Sequence, residues 1–118
     1  MAEQVNEDPG FEILKDDAFD DAFVTVRIGT LGEMADSPIV LRGLAQSNFF
    51  RTDLEGFAFA ILPGDVLVIQ DRIPRTLADD PQALSAYRHH AAAMAVRARN
   101  IFDMLSGEAA AAREGAQT

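Results

Sequence analysis

The sequence predicts a single α+β domain in the order β-β-α-β-β-α, with a mainly antiparallel sheet, a middle helix and a long C-terminal helix. Three observations predict it. Ala22 to Ile28 (AFVTVRI) is rich in β-branched residues. FAFAIL and VLVIQDRI flank a Pro-Gly-Asp turn. Apolar residues recur at three- and four-residue steps from Leu84 to Leu105. A chain of 118 residues fits one hydrophobic core.

Residues 1–10, polar and ending in Pro9-Gly10, are expected to form a disordered lead-in. The domain proper is expected over 11–106. Its first two strands, FEIL and AFVTVRI, are joined by the acidic segment Lys15 to Asp21. Ser37-Pro38 starts the middle helix, because serine caps free backbone N–H groups and proline suits the first turn. On that helix Val40, Leu41, Leu44, Ala45, Asn48 and Phe49 form an apolar stripe with one polar member. Gly43 costs about 1 kcal/mol of helix stability relative to alanine, so it implies either close packing or tertiary support. Glu55-Gly56 marks a turn before the hairpin, where Phe57, Phe59 and Ile61 share one face and Leu67, Ile69 and Ile73 another run. Pro74 ends the second hairpin strand. Asp79-Asp80-Pro81 opens the last helix, whose stripe is Leu84, Tyr87, Ala91, Met94, Ala98, Ile101 and Leu105, with Phe102 alongside. That helix is expected to end near Ser106, leaving 107–118 as a frayed tail.

Composition narrows the function. Nineteen acidic against ten basic residues give a formal charge of −9, which repels nucleic acid and anionic membranes and favours a basic partner. Cysteine is absent, which excludes disulfides, thiolate metal sites and cysteine nucleophiles. Residues 1–10 have neither a basic start nor a signal-like apolar run, and no stretch reaches the roughly 20 apolar residues of a membrane span. A cytoplasmic location is therefore expected.

No catalytic constellation emerges. His89 and His90 are adjacent, so on a helix they point about 100° apart and do not grip one metal. The pairs Asp16-Asp17, Asp20-Asp21 and Asp79-Asp80 lack the alternating ligands of a calcium loop and suit turns and caps instead. The serines lack a nucleophile elbow, and the glycines form no phosphate loop. No enzyme activity, cofactor or metal is expected. Eight phenylalanines and many aliphatics in so small an acidic chain point to a surface that binds polypeptide. An acidic, antitoxin-like or regulatory protein that blocks a basic partner is the alternative from a different class.

The segment Leu41 to Phe102 resembles the C-terminal two-thirds of class I type III secretion chaperones, the Tir chaperone family. The resemblance lies in LRGLAQSNFF, GFAFAIL, VLVIQDRIP and DDPQALSAYRHHAAAMAVRARNIF in that order, with Leu41, Leu44, Asn48, Gly56, Pro74 and Arg97 or Arg99 as landmarks. The family's opening amphipathic helix has no counterpart in Met1 to Gly10. The resemblance implies a homodimer or heterodimer joined through the middle helix and hairpin, which places Leu41, Leu44, Phe49, Phe57 and Phe59 at the dimer contact. It also implies a surface that holds the unfolded N-terminal segment of a secreted effector without using ATP. Phe11, Ile13, Phe23, Val24, Val26 and Ile28 are the candidates for that effector-binding surface.

Overall fold

The computed structural model describes residues 2–8, 10–50 and 54–117. Five antiparallel strands, β1 (Ala2–Asp8), β2 (Phe11–Asp16), β3 (Asp21–Thr30), β4 (Ala58–Leu62) and β5 (Val66–Pro74), lie in the order β1-β2-β3-β5-β4. Helix α1 (Pro38–Phe50) follows a short 3-10 turn at Gly32–Asp36. The four-residue α2 (Arg75–Ala78) leads into α3 (Pro81–Gln117).

Two expectations about the chain ends are corrected. In place of a disordered lead-in over 1–10, Ala2–Asp8 pairs with β2, Val5 opposite Ile13, so the sheet gains an edge strand. In place of a frayed tail over 107–118, α3 runs through Gly107 to Gln117. Alanine is the strongest helix former and repays the glycine's cost of about 1 kcal/mol, which explains how Ala109 to Ala112 carry the helix on. At about 1.5 Å per residue α3 sets the long axis of the molecule, 56 Å.

The sheet alternates as the pleat requires. Phe11 and Ile13 on β2, Ala22, Val24 and Val26 on β3, Phe59 on β4, and Leu67, Ile69 and Ile73 on β5 are buried. Cross-strand pairs Phe11 with Val26, Ile13 with Val24, Val26 with Ile69 and Phe59 with Ile69 put them on one face. Against that face α3 packs Ala91, Met94, Ala98, Phe102 and Leu105, close to the stripe read from the sequence. The small residues let the helix lie near the strands.

Both predicted helix starts are capped by side chains. Asp80 Oδ1 accepts from the backbone N–H of Gln82 at 3.0 Å and Ala83 at 3.4 Å, and Ser37 Oγ from Val40 N–H at 3.4 Å. In the hairpin turn Gly64 has φ +83°, which a side chain rarely adopts. Gly43 serves close packing: a Cβ there would run into the end of the Leu105 side chain, so the glycine lets α1 rest on α3.

Candidate binding groove and interface

Helix α3 covers β3 and β5 but leaves space beside β2. Two adjoining clefts of about 470 and 290 Å³ run between β2 and the N-terminal half of α3 and share Arg88. Their floor is Phe11, Ile13 and Val26; their wall is Leu84, Ala92 and Ala95. The alternation of β2 aims Phe11, Ile13 and Lys15 at the helix, and the alanines of α3 keep the opposite wall low. From Pro81 to Ala95 the wall extends about 21 Å, room for about six residues of extended chain at roughly 3.3 Å each.

Charge sits within the groove as well as at its end. The Arg88 guanidinium, where the two clefts meet, lies 4.8 Å from the centre of the Phe11 ring. At the other end Lys15 Nζ donates to Asp79 Oδ1 at 2.8 Å. That hydrogen bond holds the Asp79 carboxyl below its ordinary range, against a small opposing effect of desolvation.

At the far side of the sheet α1 is clipped to β4. Asn48 Nδ2 donates to the Phe59 carbonyl at 2.9 Å, and Phe59 N–H donates to Asn48 Oδ1 at 2.6 Å. The carboxamide thus takes the place of a neighbouring strand at one position of the β4 edge. Alternation along the strand turns the backbone groups of Ile61 to the same open edge, and Ile61 is 46% exposed. Leu41, Ala45 and Phe49 follow Asn48 around α1 at about 100° per residue, and all three are exposed, Phe49 at 83%.

The residues expected at a dimer contact therefore divide. Leu41 and Phe49 lie on the surface, whereas Leu44, Phe57 and Phe59 fill the chain's own core, because Val40 and Leu44 turn toward α3 and β4 lies beneath them. The residues expected to face an effector divide too. Val24 is fully buried; Phe11, Ile13 and Val26 are buried yet floor the groove; Phe23 and Ile28 are partly exposed. The α3 wall, Leu84, Arg88, Ala92 and Ala95, was missed. Its signal was the excess of alanine facing a strand with bulky residues.

One polar cluster lies on the helix-covered face. Tyr87 Oη donates to Asp71 Oδ2 at 2.7 Å, and the Tyr87 ring stacks 6.0 Å from Phe57. Burial, reinforced by the Asp71 bond, raises the phenol far above its ordinary value. His90 approaches Glu55 at 3.5 Å, tying the Glu55-Gly56 turn to α3. Among the described residues no group of three or more His, Asp or Glu side chains is placed to hold a metal ion, and no helix is long and apolar enough to cross a membrane.

The fold expected from the sequence, α+β and type III secretion chaperone-like, is the fold observed, with β1 and α2 as additions. It is similar to a chain of the heterodimeric complex ExoU-SpcU from the type III secretion system of Pseudomonas aeruginosa, at a TM-score of 0.53 and 17% identity. The likeness covers 85% of this chain and 81% of that one, and at this identity it is a likeness of fold. The sequence matches no family model, and no curated protein matches it.

Proposed function

We propose that the protein is a cytoplasmic type III secretion chaperone, similar to the class I or Tir chaperone family, that binds without catalysis. Its client is the unfolded N-terminal segment of a secreted effector, which it keeps soluble and fit for secretion. The observation that carries this reading is the groove between β2 and α3, part apolar and part charged, whose wall is long enough for about six residues of extended chain. The fold shared with a chain of a type III secretion complex supports it. A client leucine or phenylalanine fully buried in the groove contributes about 1.5–3 kcal/mol. Ordering each client residue costs about 1–2 kcal/mol, so alternate apolar side chains together with edge backbone hydrogen bonds are needed for useful affinity.

The chaperone acts as a homodimer through the exposed strip Leu41, Ala45 and Phe49 together with Ile61 at the β4 edge. Leu44, Phe57 and Phe59 support that strip from within the core.

Purification from the native cell, with identification of the co-purifying chain, tests the client assignment. The expected chain is a secreted protein protected from limited proteolysis only over a short segment near its N-terminus. Ala92→Arg, which fills the groove from an exposed position, is expected to release it. A client retained by that variant, or a folded partner protected throughout, overturns the reading.

A further inference from the structure

The face of the sheet turned away from the helices carries a separate apolar cluster. Leu14, Phe23 and Arg72 are cross-strand neighbours on β2, β3 and β5. Leu14 is 42% exposed, and Phe19, from the β2–β3 turn, is 48% exposed. Phe19 is held in place. Its backbone N–H donates to the Asp16 carbonyl at 3.0 Å, and the Ala18 N–H donates to Asp16 Oδ1 at 2.9 Å. Its ring meets Phe23 edge to face at 5.7 Å, and Arg72 lies 5.7 Å from the Phe23 ring centre while paired to Asp21 at 2.7 Å. The turn itself is anchored, since Arg75 N–H donates to the Asp20 carbonyl at 3.1 Å and the Arg75 side chain pairs with Asp17 at 3.4 Å.

Single exposed apolar residues are ordinary. Two aromatic rings in edge-to-face contact, with Leu14 directly across the strands from Phe23 and the aspartates of the β2–β3 turn alongside, are a preformed surface with a defined charge. Of the four aspartates of the turn, Asp21 is paired to Arg72 and Asp17 to Arg75, so the net negative charge of this surface rests on Asp16 and Asp20. Fixed rings lower the entropy cost of binding, and the carboxylates steer cations toward them. Anionic membrane and nucleic acid are repelled by the same charge.

We infer that Phe19, Phe23 and Leu14 form a second protein-binding site that takes a basic, apolar polypeptide segment, placing its aliphatic or aromatic side chains on Phe19 and its lysines or arginines among the β2–β3 aspartates. The site is on the opposite face of the sheet from the groove and does not depend on the chaperone reading.

The test uses the full chain and a fluorescein-labelled ten-residue peptide of alternating lysine and leucine, read by anisotropy. Phe19→Ser is expected to weaken binding at least fivefold with an unchanged melting temperature, because the side chain is half exposed. Phe19→Tyr retains binding. Asp20→Asn weakens it two- to threefold at low salt, and that difference disappears in 0.5 M NaCl. Ala92→Arg leaves it unaltered, and a glutamate and leucine peptide does not bind. Equal affinity for wild type and Phe19→Ser, no binding to wild type, or a loss confined to Ala92→Arg overturns the proposal; the last outcome assigns the peptide to the groove and leaves the chaperone reading standing.

Discussion

Tyr87 is the single tyrosine of a chain without tryptophan, so absorbance near 295 nm reports one group. Its folded-state pKa is raised by burial and by the bond to Asp71. An unfolded tyrosine titrates near about 10. The stability held in that proton is therefore fully present below about pH 10 and is lost as pH rises beyond it toward the folded value. The native protein is expected to show no phenolate signal until well above pH 10, whereas protein unfolded in urea titrates near that value; a native midpoint at 10 contradicts the buried placement. Tyr87→Phe strands a half-buried carboxylate and is expected to cost about 1–3 kcal/mol in urea unfolding. Gly43 supplies a second residue-scale test. Gly43→Ala improves helix propensity by about 1 kcal/mol, but its Cβ runs into the end of the Leu105 side chain. Overpacking of this kind costs about 1–3 kcal/mol, so a net loss is expected; made in a Leu105→Ala background, the same substitution is expected to stabilise relative to Leu105→Ala alone.

Among the elements, α1 packs on β4 through its apolar side and is hydrogen-bonded to it through the Asn48 side chain. Asn48 satisfies both backbone groups of Phe59, which is itself buried. Asn48→Ala leaves them without that partner and is expected to destabilise by about 1–3 kcal/mol, with faster amide exchange at Phe59. Asn48→Asp keeps the acceptor but loses the donor and places a charge against the Phe59 carbonyl, so it is expected to be no better. Helix α3 behaves differently along its length. Roughly its first eight turns, to Ala109, pack on the rest of the fold, whereas beyond Ala109 the residues described on it are exposed. Ending the chain after Ala110 is therefore expected to lower the melting temperature by no more than a few degrees, consistent with a loss of about 0.5 kcal/mol or less at solvated positions.

For the whole molecule, the distinction between surface and core decides which substitutions report on assembly. Leu41→Asp combined with Phe49→Asp is expected to give a folded monomer by light scattering, with an unchanged circular dichroism spectrum. Leu44→Asp is expected to unfold the chain, since Leu44 is only 4% exposed and an unpaired buried charge is costly. A Leu41→Asp/Phe49→Asp variant that keeps a dimeric mass removes the proposed contact.

The four strands and two long helices between Phe11 and Leu105 were legible because each had a local cause: β-branched runs, a Pro-Gly-Asp turn, capping Ser37 and Asp80, and a regular α3 stripe; the short α2 was not. Side chains on the middle helix were less so. Its six-member stripe covers more of the circumference than one neighbour buries, and only the positions of α3 and β4 separate Val40 and Leu44 inside from Leu41 and Phe49 outside. The same holds for the groove, which is a gap between β2 and α3 and exists in neither element alone. Asn48 was visible as a polar member of an apolar stripe, but its use as a substitute strand partner required the β4 edge to lie beside it. Local sequence determined which segments form strands and helices through short-range propensity, capping and periodicity. Which apolar faces are covered and which remain open was decided by long-range packing, because burial depends on neighbours distant in the chain.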